Sequence, residues 1–174
     1  MKKKLTFALG GGGARGALQA GALRALVQAE IKPDLMVGTS IGSVNAIFMA
    51  MHGFSIESLN KLDATWLDVA KANLFPASTA WLTTQVLLNY VGVSPYHGIR
   101  DYFIAQGIRP DLHFGDLKHA PVILVSTDLN NRRPVYHGTD PRHLVLDGLI
   151  ASAALPPLPQ RSTLPPASST DITA

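Results

Sequence analysis

The stretch Leu35-Met36-Val37-Gly38-Thr39-Ser40-Ile41-Gly42-Ser43-Val44, residues 35–44, decides the fold. Its apolar start has the length of a buried strand and runs directly into Gly38-Thr39-Ser40. Residues 41–52 then read as an apolar helix, with Val44, Ile47, Phe48 and Met51 on its faces and Gly53 as its stop. The same order occurs once upstream. Residues 5–9 form a short apolar run, four glycines follow, and 15–29 carry Leu18, Ala22, Leu26 and Leu23, Val27 at helical spacing before Lys32-Pro33. Strand, helix, strand, helix in so short a stretch predicts parallel βαβ pairing and an α/β fold.

Downstream, Ser55 is placed to cap a helix over 55–69, in which Ile56, Leu59, Leu62 and Trp66 are in phase. Helices are expected over 81–90 and 99–105, a strand over 121–125, and a weaker strand over 135–137 after the turn Asn130-Asn131-Arg132-Arg133. Asp140-Pro141 offers an N-cap and a first-turn proline for a helix reaching about residue 154. From Pro156 onward the chain holds five prolines, many serines and threonines, and no aromatic residue. Such a composition supplies neither a strand nor a core helix. The expected organisation is one domain over 1–157 and a tail over 158–174 without fixed structure.

The 174 residues are 47% hydrophobic and 16% charged, with a mean hydropathy of +0.17, which fits one globular domain. The absence of cysteine excludes disulfides, thiolate nucleophiles and cysteine-ligated metals, and it fits a reducing compartment. The net charge of +3 is skewed: through Lys32 six basic residues face only Glu30, whereas the remainder is slightly acidic. That basic edge has two readings, the solvated start of a first strand or a peripheral contact with anionic lipid. No basic stripe with interleaved aromatics exists, so nucleic acid is not an expected partner. Lys2-Lys3-Lys4 before the apolar run imitates a signal peptide, but the run ends at once in glycines. Residues 35–58 are too polar to span a membrane. The expected location is the cytoplasm, with membrane contact peripheral at most.

Gly38-Thr39-Ser40-Ile41-Gly42 spells G-x-S-x-G at a predicted strand-to-helix turn. A turn this tight crowds the neighbours of the serine, which accounts for glycine two residues away on each side. The turn exposes the Ser40 hydroxyl, and the start of the next helix favours negative charge beside it. Ser40 is therefore the candidate nucleophile; an ordinary turn serine is the other reading. Gly10 and Gly11-Gly12-Gly13-Ala14-Arg15-Gly16, the latter also spelling G-x-G-x-x-G, follow the first strand in the same way. Glycines let backbone N–H groups crowd round an anion. A dinucleotide would want an acid at the end of the second strand, but Asp34 precedes that strand. A phosphate loop would want Gly-Lys-Ser/Thr, but Ala17 and Leu18 follow Gly16. The remaining reading is an oxyanion hole built from the amides of Gly11, Gly12, Gly13 and Ile41. Arg15 either orients that loop and adds positive potential or is a surface arginine. Both motifs fall at carboxyl ends of consecutive strands, where open α/β sheets bind ligands.

Taken together, these motifs resemble the patatin-like phospholipases. Ser126-Thr127-Asp128-Leu129 after a strand and Ala151-Ser152-Ala153-Ala154-Leu155-Pro156-Pro157 match further parts of that family. The resemblance covers about residues 4–158. It implies a three-layer α/β/α domain with a mostly parallel sheet, of the patatin-like (lysophospholipase-like) kind, lacking its C-terminal part. It also implies a serine–aspartate acyl hydrolase, without histidine, acting on phospholipids, lysophospholipids, other acyl lipids or small esters. Such enzymes generally use no metal, though some members use calcium, and no cofactor or metal is expected for this chain. Ser40 would be the nucleophile; Gly38 and Gly42, with Arg15 and Gly16, would support the site.

One expected element is missing. The family's dyad aspartate lies in Asp-Gly-Gly or Asp-Gly-Ala after the Ala-Ser segment, and no such motif is present. Asp147-Gly148-Leu149 precedes that segment within a predicted helix, Asp171 is followed by Ile172 and Thr173, and Asp128 is not at the dyad position. The reading that follows is a truncated or frame-shifted hydrolase, or an acyl-lipid-binding remnant without turnover. His52, His97, His113, His119, His137 and His143 lie in no recognisable motif and read as surface or packing residues. Trp66, Leu74, Phe75, Trp81, Leu87 and Leu88 are read as core packing or as the lining of an acyl pocket or lid.

Overall fold

A computed structural model describes residues 3–71 and 96–154. Four strands, β1 (Thr6–Leu9), β2 (Leu35–Thr39), β3 (Val122–Asp128) and β4 (Arg133–His137), lie side by side in chain order. The first three pair in parallel and β4 returns antiparallel to β3. The helices are α1 (Ala17–Gln28), α2 (Ile41–His52), α3 (Ile56–Lys71), α4 (Tyr96–Ala105) and α5 (Val145–Ala153), with 3-10 turns at Gly13–Gly16 and Phe114–Asp116. The architecture is α/β with a mostly parallel sheet, as the motif order predicted.

Register puts Phe7, Met36, Val122 and the paired Gly38 and Leu124 on one face of the sheet, and all five are buried. Helix α2 packs across β1, β2 and β3 on that face, and α5 packs on β3 beside α2. The core joins these strand residues to Ile47 and Met49 of α2, Leu59 and Leu62 of α3, and Val145, Leu146 and Leu149 of α5. Ser55 Oγ accepts the Ser58 amide at 3.1 Å, the cap that starts α3.

Strand β4 begins at Arg133 rather than 135 and α4 at Tyr96 rather than 99, and three further elements depart from the sequence reading. Helix α5 starts at Val145 rather than near Asp140, because the intervening backbone is already paired. Gly115 donates to the Pro141 carbonyl at 2.9 Å, Phe114 to His143 at 3.0 Å, and Val145 to Leu112 at 2.9 Å. The Asp140 carboxylate instead holds the Arg142 amide and guanidinium, which keeps its pKa far below the usual range. Strand β3 continues to Asp128, since Ser126, Thr127 and Asp128 pair with β4. Helix α1 buries Ala20 and Leu23 and packs Leu26 and Val27 against the core, but leaves Leu18 74% exposed and Ala22 exposed, so the expected rows turn inward only in part.

The predicted helix over 81–90 and the tail over 158–174 lie outside the described residues. Among those described, no helix is long and apolar enough to cross a membrane, and no cluster of three or more His, Asp or Glu could hold a metal ion.

A buried amide ties the helices together. Asn45 of α2 is wholly buried; its Nδ2 donates to the Gly16 carbonyl at 3.0 Å and to Gln19 Oε1 at 2.8 Å, and its Oδ1 accepts the Trp66 indole N–H at 3.1 Å. Leucine at that position would leave the Gly16 carbonyl and the indole N–H unpaired. Asn45→Leu is expected to lower unfolding free energy by about 2–3 kcal/mol, read from urea midpoints. Leu67→Ala, at a residue 60% exposed, should stay within about 0.5 kcal/mol of the parent.

Candidate active site

Ser40 stands between β2 and α2 with φ 53 and ψ −124. Such a conformation is sparsely populated for a residue with a Cβ and costs roughly 1–3 kcal/mol unless its surroundings enforce it. Here they do. A Cβ added at Gly38 would lie 2.6 Å from Ser43 Cα and 2.7 Å from the Gly42 carbonyl oxygen. One added at Gly42 would overlap the Leu9 carbonyl and come within 2.8 Å of the Gly10 oxygen. Only hydrogen at both positions lets the strand turn into a helix whose first turn rests on the end of β1.

The glycine loop reaches the serine from its other side. A Cβ at Gly11 would sit 3.2 Å from Ser40 Cβ and 3.9 Å from Ser40 Oγ, so the Gly11 backbone abuts the serine side chain. Gly12 faces Arg15 instead, whose amide donates to the Gly12 carbonyl at 3.2 Å and whose Nε lies 3.7 Å from the corresponding Cβ position. The exposed Arg15 thus folds back along the loop. Gly13 opens the 3-10 turn at φ 56 with nothing crowding it. Gly16 packs against Ile41 and Trp66 too closely to admit a methyl group.

Beneath the turn, the Ser40 amide donates to Ser152 Oγ at 2.9 Å. Ser152 Oγ donates to the Val125 carbonyl at 2.7 Å and lies 2.7 Å from Ser43 Oγ. The Ser40 amide is thus engaged below the turn, while the Gly11 backbone lies against the Ser40 side chain. The first amides of a helix have no acceptor within it. No acid occupies the first turn of α2 or of the Gly13–Gly16 turn to cancel the partial positive charge there.

The titratable candidates sit elsewhere. Among the described residues Ser40 Oγ has no hydrogen-bond partner. His137 Nε2 lies 2.8 Å from Ser126 Oγ, His113 approaches Asp116, His52 stacks on Phe48, and His119 lies over Gly53. The His143 carbonyl is bound to the Phe114 amide, and the side chain of His97 lies outside the described residues. Asp128 accepts the Asn131 side chain and the amides of Asn130 and Asn131, which hold its pKa below the usual carboxylate range. Asp147 lies in the first turn of α5, where its charge acts on His137. Asp171 lies outside the described residues, as do Leu74, Phe75, Trp81, Leu87 and Leu88. Trp66 is partly buried against the core and bonded to Asn45, a packing role. Asp34 accepts the Leu5 amide at 2.8 Å at the amino ends of the strands, away from the glycine loop, so it cannot serve a ribose there.

Sequence reasoning passed over Ser152 and Asn45. Both are polar residues in otherwise apolar helical runs; for Asn45 that isolation was the signal, and Ser152 also lies in the Ala151–Pro157 segment that matches the family.

Two measurements probe this geometry. Gly42→Ala is expected to destabilise the fold by about 2 kcal/mol or more, because backbone rather than a flexible side chain stands in the way. Gly21→Ala, in a helix with open space around it, should be neutral or stabilising by up to about 1 kcal/mol. His137 supplies the second. Burial is the main cause holding its pKa below 6.5, opposed in part by Asp147. The unfolded chain therefore binds its proton first, and the stability contributed by neutral His137 is full above about pH 6.5 and declines as pH falls through the folded pKa. His137→Gln should show a smaller drop in urea midpoint than the parent between about pH 7.5 and 5.5.

Comparison with known proteins bears on the family and the fold. The family model for patatin-like phospholipase matches residues 7–169. Patatin-like phospholipase domain-containing protein 7 of Mus musculus is 44% identical over 126 residues, which are 72% of this chain and 8% of that protein. Lysophospholipase NTE1 of Chaetomium globosum is 41% identical over 58 residues, 33% of this chain and 4% of that protein. The chain thus spans a small part of these relatives. Among solved structures, the type III effector protein ExoU superposes with a TM-score of 0.51 at 21% identity, over 89% of this chain and 41% of that one. In the heterodimeric ExoU–SpcU complex from Pseudomonas aeruginosa the TM-score is 0.50 at 20% identity, covering 92% and 38%. These two likenesses concern the fold.

Proposed function

The chain belongs to the patatin-like phospholipase family, and from that premise we propose that it is a serine acyl hydrolase cleaving ester bonds of phospholipids, lysophospholipids or related acyl lipids. The observation that carries the reading is the contact of the Gly11 backbone with a strained Ser40 side chain that has no hydrogen-bond partner among the described residues. Ser40 Oγ attacks the acyl carbonyl carbon as its proton passes to a base. The carbonyl oxygen, now negative, is met by the amides of Gly11, Gly12, Gly13 and Ile41. Collapse of the tetrahedral adduct expels the alcohol, which takes up the proton, and water then hydrolyses the acyl-enzyme by the same route in reverse. Gly38 and Gly42 permit the turn, while Arg15 and Gly16 hold the loop. The reaction needs no cofactor and no metal. Contact with lipid is peripheral, at the carboxyl edge of the sheet where the serine lies.

A second reading has its own observation. A serine hydroxyl is a weak nucleophile unless a neighbouring base takes its proton, and no described residue is bonded to Ser40 Oγ. On that reading the chain binds acyl lipid without turning it over.

Ester hydrolysis by the parent and by Ser40→Ala separates the two, with p-nitrophenyl esters of short and long acyl chains as substrates. A hydrolase should lose about a thousandfold or more in kcat/KM on loss of the hydroxyl. Fluorophosphonate should label the parent and not the variant. Equal rates in both proteins would remove Ser40 from the mechanism. Absence of labelling in a parent that still binds fatty acid would establish the non-catalytic reading.

A further inference from the structure

We propose that Ser152 is a positioning residue for Ser40, a hydroxyl clip that sets the nucleophile turn from beneath; this rests on the reading of Ser40 as a nucleophile. Its oxygen bonds three groups on two pieces of chain distant from it in sequence, the Ser40–Ser43 turn and β3. The Ser40 amide donates to it at 2.9 Å, Ser43 Oγ lies at 2.7 Å, and it donates to the Val125 carbonyl at 2.7 Å. A serine hydroxyl has one proton and two lone pairs. With the proton committed to Val125, both lone pairs face donors, so the Ser43 hydroxyl donates to Ser152 and not the reverse. Every bonding position of the Ser152 hydroxyl is filled, and the direction of each bond is fixed.

Position gives this arrangement its consequence. Ser152 is 7% exposed and Ser43 fully buried, so water does not replace either partner. Ser152 rides on α5, which rests on β3 and α2, so the clip transmits the packing of that helix to the Ser40 backbone. The bond to Ser40 falls on the residue held at φ 53, where the direction of the side chain depends on the backbone being kept there. By occupying the Ser40 amide, Ser152 also removes that group from the donors facing the substrate. The oxyanion is left to Ile41 and the glycine loop.

Replacing Ser152 by alanine leaves the Ser40 N–H, the Ser43 hydroxyl and the Val125 carbonyl without their common partner. The turn is then free to relax, and a displacement of about 1 Å at a reacting atom costs on the order of a hundredfold in rate. Ser58 supplies a matched control. It is 5% exposed, and its hydroxyl donates to the His52 carbonyl at 2.7 Å, remote in the fold from the Ser40 turn.

The test uses the 174-residue chain as parent, Ser152→Ala, Ser152→Thr and Ser58→Ala, with two readouts. Hydrogen exchange at the Ser40 amide reports the clip itself, and the second-order rate of fluorophosphonate labelling reports the nucleophile. Ser152→Ala should speed exchange of that amide by about tenfold or more and slow labelling by about a hundredfold. Its ester hydrolysis should fall in kcat with KM little changed. Ser152→Thr, which keeps the oxygen, should recover most of the labelling, and Ser58→Ala should keep both readouts at the parent level. Unchanged exchange in Ser152→Ala overturns the clip. Faster exchange with undiminished labelling, or an equal loss of labelling in Ser58→Ala, overturns the positioning role. A parent that is not labelled while Ser152→Ala still speeds exchange instead sinks the reading of Ser40 as a nucleophile and leaves the clip standing.

Discussion

The first turn of α2 rests on the end of β1 with no carbon between them, and the geometry of the site follows from that contact. Because Gly42 meets the Leu9 and Gly10 backbone directly, the helix after β2 begins within reach of the loop after β1. A methyl group there would push α2 off the sheet or force the strand end aside. Either shift would separate Gly11 from Ser40. Gly38 performs the matching service within the turn, letting Ser43 close over the strand it has just left. These contacts are local in sequence at one end and span more than a helix at the other, so a short motif can set a tertiary arrangement.

Two buried polar side chains hold what the glycines allow. Asn45 secures the start of α1, and with it the glycine loop, to α2 and α3. Ser152 secures the serine turn to β3 and α5. An apolar residue in either place would gain a few kcal/mol at most from burial. It would also orphan several backbone or side-chain groups at about 1–3 kcal/mol each. Polar groups win here because their partners are already fixed and dry. Directional bonds also specify one arrangement where apolar packing tolerates several.

What was legible in the sequence was what local chemistry determines. The two strand–glycine–helix units showed in the short apolar runs and in the glycines that end them, and the Ser55 cap showed in its spacing. Helix α5 was misplaced at its start, because Asp140-Pro141 has good capping chemistry but its backbone is claimed by residues 112–115. No local pattern reports that competition. Leu18 has helical spacing with Ala22 and Leu26, yet the packing of α1 leaves it outside the core. Trp66 carried two readings, core packing or pocket lining, and its bond to Asn45 and its place against the core favour the first. Ser152 and Asn45 sit in runs whose neighbours are apolar, and their partners lie more than twenty residues away. Roles of that kind depend on what the fold brings together.

The conformation of Ser40 bears on function in a way its sequence position does not. A residue with a Cβ stays at φ 53 only where its surroundings remove the alternatives. Here four neighbours remove them: the missing side chains of Gly38 and Gly42, and the hydroxyls of Ser43 and Ser152. An ordinary strand-to-helix connection needs none of this, since a residue with extended backbone can cap a helix without strain. The strained arrangement differs in presenting the Ser40 hydroxyl at the edge of the sheet, free of any described partner and close to the Gly11 backbone. The proposed cradle and nucleophile draw on β1, β2 and the segments that follow them. The proton acceptor is a separate requirement, because loss of one member of such a constellation leaves the oxyanion site and its residual rate enhancement in place. The energy held in the turn is thus spent on the two features that a strand, a loop and a helix can supply by themselves.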